Sequence, residues 1–205
     1  LELCLCGLRK RKRTGSMLTK PKLSQVRSAV LISGRGSNLQ ALLDKEGCNI
    51  RLVCSHKKSA AGVLKAKRCG IPTKIFSPFR FAEMEAFLKE KHIEKIFLLG
   101  FMKILPEEFV HQWQGQIVNL HPSLLPLYPG THSIERSFED KNKLGVSLHT
   151  VIPAMDEGPL LQQSCVADKE SCFSPQTYPQ TLEQAAQRIA MREHFLVRKY
   201  EDHWL

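Results

Sequence analysis

The feature that most restricts this chain is an alternation, from residue 28 onward, between short apolar runs and longer segments of helical spacing. SAVLIS (28–33), NIRLVCS (49–55), TKIF (73–76), KIFLLG (95–100) and QIVNL (116–120) are too short for helices and read as buried strands. Between them lie SNLQALLDKE (37–46), SAAGVLKAKRCG (59–70), FAEMEAFLKEKH (81–92) and PEEFVHQW (106–113), with apolar residues three and four apart. Ser37 is the expected N-cap of the first helix, and Gly70 followed by Pro72 stops the second. Strand–helix alternation with short connections predicts a doubly wound, mostly parallel α/β sheet. After about residue 143 the pattern changes. GVSLHTVI (145–152) and PLLQQSCV (159–166) predict an antiparallel C-terminal extension of that sheet, joined by a turn containing Pro and Gly. A polar loop over 167–180 and a long C-terminal helix over 181–204 complete the reading.

Charge and cysteine usage narrow the function classes. Thirty basic and 20 acidic side chains give a net charge of +10, which invites an anionic partner such as a nucleic acid. Eight of the basic residues and one acid fall within residues 1–27, however, leaving 22 basic and 19 acidic residues, or +3, for the rest. Residues 1–27 are expected to be a basic, disordered extension, so nucleic acid is not the expected partner of the globule. A modest positive field still suits a small anionic substrate. The order of LELCLCGLRKRKRTGSM, apolar first and basic second with no small-residue cleavage site, is wrong for a secretory signal. No run is apolar for the length of a membrane span, and no membrane partner is expected. The seven cysteines form no C-x-x-C pair, which fits neither a metal cluster nor a disulfide framework. Reduced thiols in a cytoplasmic protein, with no metal, are the expectation.

Three short constellations carry chemistry. The first is Ser33-Gly34-Arg35-Gly36-Ser37-Asn38, a glycine turn between a strand and a helix. Such a turn lets backbone N–H groups approach an anion, and the helix N-terminus adds partial positive charge. An ordinary tight turn would look the same. The second is Asn119-Leu120-His121-Pro122-Ser123-Leu124-Leu125-Pro126. Two residues apart at a strand end, Asn119 and His121 can face one side. An imidazole moves protons near neutral pH and a carboxamide can donate to an oxyanion, although strand-end Asn and His are often structural. The third is Met155-Asp156-Glu157-Gly158-Pro159, whose acid could orient His121 and favour its charged form, or could simply belong to a solvated turn.

Taken together, these pieces resemble a known family. VLISGRGSNLQALL, GIPTKIF, LLGFMKIL, VNLHPSLLPLYPGTH, GVSLHTV, MDEGPLLQQ and REH occur in that order between about residues 28 and 200. They look like the phosphoribosylglycinamide formyltransferase family, folate-dependent enzymes of purine synthesis with a Rossmann-like fold. The resemblance implies one formyltransferase domain over 28–205, with a phosphate-binding lobe (28–118) and a catalytic and folate lobe (119–205). It implies transfer of the formyl group of 10-formyltetrahydrofolate, a co-substrate, to the amine of N1-(5-phosphoribosyl)glycinamide. By the same resemblance, His121 is the proton-transfer group and Asn119 stabilises the oxyanion, while Asp156 orients His121 and raises its pKa. Gly36, Ser37, Asn38 and Glu193 would bind the ribonucleotide. Arg80, Met102, Lys103, Ile104, Leu105, Asn119, Ile152 and Asp156 would bind folate, with His132 and His149 in support.

Two positions depart from the family pattern. Lys103 stands where an Arg is usual, and Arg80 matches the family's arginine only after a shift of about one residue. Among the other histidines, His56, His92, His111 and His203 are expected at the surface, and His194 as a packing or helix-end residue. A monomer and a homodimer are both compatible with the sequence. Formyltetrahydrofolate hydrolase, methionyl-tRNA formyltransferase and a non-catalytic nucleotide-binding relative are the rival readings.

Overall fold

The computed structural model describes residues 26–168 and 178–201. The expected basic extension, Val26 and Arg27 apart, lies outside these residues, as do 169–177 of the expected loop and His203.

The described residues form β1 (Ser28–Ile32), α1 (Ser37–Leu43), β2 (Ile50–Ser55), α2 (Ala61–Arg68), β3 (Thr73–Ile75), α3 (Phe81–Glu90), β4 (Lys95–Leu98), α4 (Glu107–Gln112), β5 (Ile117–His121), α5 (Ser133–Glu139), β6 (Leu144–Thr150), β7 (Leu160–Ala167) and α6 (Leu182–Glu201). The strands make one sheet in the order β3-β2-β1-β4-β5-β6-β7. Strands β1 to β5 pair in parallel, whereas β6 and β7 pair antiparallel to their neighbours. Strand alternation divides the core in two. Val30 and Ile32 face α1, α2 and α6, packing on Leu39, Leu42, Val63 and Ile189. Ala29 and Leu31 face α3 and α4, packing on Met84, Leu88, Phe109 and Trp113. The central strands are thus covered on both faces, which is why they read as continuous apolar runs, whereas β7 at the edge is largely exposed.

Two local expectations are corrected. Ser37 is the first residue of α1, not its N-cap; Gly36 holds that place, with φ of 66° and no side-chain cap. A second difference is α5, which falls where the sequence reading assigned no element. This seven-residue helix buries Ser133 and Ser137 instead of an apolar stripe, so its helical period carries little hydrophobic signal. The last helix starts as expected. Thr181 Oγ1 accepts from the Gln184 N–H at 3.2 Å, and Gln184 Oε1 accepts from the Gln180 N–H at 2.9 Å, a relative of the capping box.

In the parallel half, the chain winds from β1 to β3 on one side and crosses to β4 and β5 on the other. Loops after β1 and β4 therefore diverge at the carboxyl edge, where open α/β sheets make their ligand crevice.

Candidate active site

The site begins with β5. Asn119 and His121 lie two residues apart, and the antiparallel register sets Asn119 directly across from His149 on β6. Between β6 and β7 the chain must turn sharply, and the Thr150 N–H bonds to the Pro159 carbonyl at 2.9 Å. A Cβ on Gly158 would stand 1.7 Å from the Thr150 carbonyl oxygen, so no larger residue fits that position. Asp156 sits in this turn with φ of 57°, a left-handed conformation that Asp tolerates at modest cost. That conformation brings its carboxylate over the end of β5.

Asp156 is the hub. Its Oδ2 accepts from the Gly130 N–H at 2.8 Å and lies 3.4 Å from His121 Nδ1. Its Oδ1 accepts from Asn119 Nδ2 at 3.3 Å and lies 3.4 Å from His149 Nε2. His121 Nε2 donates to the Tyr128 carbonyl at 2.9 Å. The ring therefore has a pure acceptor at each nitrogen, an arrangement that can hold an imidazolium. His149 Nδ1 lies 3.1 Å from the Thr150 carbonyl, and its Nε2 stands 3.1 Å from Asn119 Nδ2 as well as facing Asp156. Asn119 Nδ2 thus faces two groups, His149 at 3.1 Å and Asp156 at 3.3 Å, and the contact to Asp156 is the longer.

Electrostatics follow from burial and this network. Burial alone would raise the Asp156 pKa, but the hydrogen bond with His149, the Gly130 N–H and the two imidazoles hold it at about 2. For His121 the sequence expectation needs correction. Burial lowers its pKa and outweighs the upward pull of the Tyr128 carbonyl and Asp156. Asp156 acts in the expected direction without prevailing.

The loop after β5 is clamped to the sheet. Ser147 Oγ donates to the Ser123 carbonyl at 2.7 Å and accepts from the Leu125 N–H at 3.0 Å, while Gln163 Nε2 donates to the Leu125 carbonyl at 2.7 Å. Tyr128, and through it His121, is held by that clamp.

Around this hub the other expected positions separate into groups. Met102 and Ile104, after β4, are 72% and 77% exposed, and Met155 in the opposing turn is 53% exposed. Lys103 is exposed, and Leu105 and Ile152 are half-buried. Arg80 caps α3 from an extended backbone and pairs at the surface with Glu83 at 3.4 Å. His132 is not brought to the hub: its ring is 76% exposed and 3.8 Å from Glu135.

The glycine turn lies after β1. Gly36 is left-handed, and a Cβ there would stand 2.7 Å from the Cα of Gly62, so two glycines let α1 and α2 meet. Asn38 Nδ2 donates to Glu193 Oε2 of α6 at 3.2 Å, while Asn38 Oδ1 is buried without a partner. Burial raises the Glu193 pKa to about 7 despite that hydrogen bond. Beside the turn is a cavity of about 260 Å³ lined by Ser37, Gln40, Asp44, Lys65, His194 and Arg198. Lys65 Nζ reaches the Gly36 carbonyl at 3.4 Å, giving the turn a cation that the sequence did not flag. His194 is in mid-helix and not at an end, and its Nε2 is buried without a partner.

His56 was expected at the surface and is instead half-buried. Its Nδ1 is 3.3 Å from Ser33 Oγ, and its ring stands edge-on to Phe79 and Phe101. One signal was available: His56 directly follows β2, as Ser33 follows β1, so both belong to the sheet's ligand edge. Among the described residues, no group of three or more His, Cys, Asp or Glu is arranged to hold a metal ion, and no helix is long and apolar enough to cross a membrane.

Comparison with known proteins identifies the family. The family model described as Formyl transferase matches residues 26–196. Escherichia coli phosphoribosylglycinamide formyltransferase is 39% identical over 150 residues, covering 67% of this chain and 71% of that protein. The trifunctional purine biosynthetic protein adenosine-3 of Drosophila pseudoobscura pseudoobscura is 37% identical over 198 residues, 89% of this chain, although the chain spans only 14% of that relative's length. The solved phosphoribosylglycinamide formyltransferase of Anaplasma phagocytophilum superposes with a TM-score of 0.77 at 36% identity, over 85% of this chain and 84% of that one. A doubly wound sheet with a glycine turn, an Asn–His–Asp hub and these relatives lead to one assignment: the chain belongs to the formyl transferase family, on its phosphoribosylglycinamide formyltransferase branch.

Proposed function

We propose that this chain transfers the formyl group of 10-formyltetrahydrofolate to the amine of N1-(5-phosphoribosyl)glycinamide, releasing formylglycinamide ribonucleotide and tetrahydrofolate. The observation that carries the proposal is the convergence of Asn119, His121 and Asp156 within hydrogen-bonding reach at the end of β5. The phosphate is assigned to the Gly36–Asn38 turn, where Lys65 and the cationic cavity supply charge. Glu193 faces the same turn through Asn38 and suits contact with the glycinamide end. The folate's flat ring is assigned to the space between residues 102–105 and 152–156, where Met102, Ile104 and Met155 expose unusual apolar surface.

The substrate amine attacks the formyl carbon, and the carbonyl oxygen takes up the developing negative charge. Asn119 can turn one N–H toward that oxygen by giving up its 3.3 Å bond to Asp156. His121 in its charged form donates its Nδ1–H to the same oxygen by giving up the 3.4 Å contact with Asp156, whose charge makes the imidazolium less costly, while the Tyr128 carbonyl holds Nε2. As the intermediate collapses, His121 gives its proton to the departing folate nitrogen, and the neutral ring so formed takes up the proton lost by the attacking nitrogen. No covalent enzyme intermediate is needed.

A spectrophotometric assay of folate deformylation, run with and without the ribonucleotide, tests this reading. Turnover that requires the ribonucleotide is the expected result. Equal turnover in its absence would make the protein a hydrolase.

A further inference from the structure

The ends of β1, β2 and β4 lie side by side at the ligand edge, and each contributes one group to a chain of hydrogen bonds. The Met102 N–H donates to Ser33 Oγ at 2.7 Å. Ser33 Oγ is in turn 3.3 Å from His56 Nδ1, and the Ser33 N–H bonds to the Gly100 carbonyl at 3.1 Å. Because the Ser33 oxygen already accepts from Met102, its own hydrogen is free to donate to a neutral His56. Ser33 is buried at 5% exposure, so the orientation of its hydroxyl is set by protein partners and not by water. The His56 ring is fixed in turn by its edge contacts with Phe79 and Phe101, 5.7 and 5.4 Å between centroids. Burial, with Lys103 and Lys57 close by, lowers its pKa and keeps the Nδ1 lone pair available.

We infer that Ser33 and His56 form a clamp that sets the position of the 102–105 loop relative to the phosphate turn, making His56 a positioning residue for the folate. This inference rests on the proposed placement of folate against that loop. Ser33 opens the glycine turn at one end and holds the Met102 backbone at the other. The two substrates thus meet across a strut of fixed length. Formyl transfer needs that registration, since an ångström of misplacement between reacting atoms is costly in rate. Folate contact falls on the loop, so the clamp's effect should appear on that substrate first.

Three variants test it: Ser33→Ala removes the strut, His56→Phe keeps the aromatic packing without the acceptor, and His56→Asn keeps an acceptor. Two readouts are combined, hydrogen exchange of the Met102 amide and KM for each substrate. Ser33→Ala and His56→Phe should speed Met102 exchange and raise KM for 10-formyltetrahydrofolate about 3- to 10-fold, the worth of one net hydrogen bond. KM for the ribonucleotide should stay within about twofold, and His56→Asn should restore wild-type behaviour. Unchanged Met102 exchange in His56→Phe would overturn the clamp and leave the folate placement standing. Faster exchange with unaltered folate KM would instead overturn the assignment of the 102–105 loop to folate. Equal loss for both substrates would reduce the pair to a structural role.

Discussion

Replacing Asp156 by Asn removes one charge at nearly constant size, and the structure allows its consequences to be worked out. Asp156 is held at about 2, against an ordinary value of 3.8. That depression makes the ionised form worth on the order of 2 kcal/mol in the folded state. Because the folded pKa is lowered, this stability is fully present above the unfolded value near 3.8 and is lost as pH falls through about 2. An Asn side chain imitates the protonated carboxyl. The variant should therefore lie about 2 kcal/mol below wild type at pH 7, a fall of roughly 4–8 °C in Tm for a chain of this size. The deficit should shrink to about half by pH 3. Activity should suffer more. Without the carboxylate, burial acts on His121 with less opposition, its pKa falls further, and the ring loses one of its two anchors. A drop in kcat of about 10²- to 10⁴-fold is expected, the range for a misplaced proton-transfer group, with KM for the ribonucleotide little changed. Thermal unfolding between pH 3 and 8 and steady-state kinetics on both substrates provide the assays. A stability deficit independent of pH, or equal losses in kcat and ribonucleotide affinity, would refute the reasoning.

Other outcomes follow from the same geometry. Asn119→Ala should lower kcat about 10²- to 10³-fold while leaving ribonucleotide KM nearly intact, as expected for a donor used in the transition state; a pure KM effect would contradict that role. Gly36→Ala forces a left-handed alanine whose Cβ would meet Gly62 at 2.7 Å. It should cost at least about 1–2 kcal/mol in thermal unfolding and raise ribonucleotide KM. Glu193, raised to about 7, burdens the fold only above its unfolded value near 4.5. Glu193→Gln should therefore match wild type at pH 4 and exceed it at pH 8 by up to about 3 kcal/mol, as read from denaturant midpoints. The same variant should lose any inflection near pH 7 in kcat/KM for the ribonucleotide.

Much of the molecule was legible in the sequence because its central strands are buried on both faces. SAVLI and KIFL could be placed without any partner in view, and the order of elements followed from their alternation. The antiparallel end was visible through Gly158 and Pro159, since a short turn permits only that direction. Asn119 and His121 announced themselves by spacing. Asp156 could be matched by resemblance, but its left-handed backbone and its four-way hub depend on how β6 meets β7. The balance at His121 was illegible for a different reason: burial and a carbonyl seven residues away compete there, and neither has a local sequence signature. Lys65 lies on α2 and His194 and Arg198 on α6, so the three meet only once these helices pack beside α1. His132 was drawn toward the site by motif position, yet α5 turns it outward. His56 was missed because a histidine after a strand carries no label saying which loop crosses it.

The proposal turns on the fate of one carbon atom. A single-turnover experiment with 10-formyltetrahydrofolate labelled with ¹³C in the formyl group, read by NMR in the presence of the ribonucleotide, follows that carbon directly. The label is expected in an amide formyl group on the ribonucleotide, with its appearance slowed in Asn119→Ala and Asp156→Asn alike. Label recovered as free formate, at a rate indifferent to these two substitutions, would contradict it.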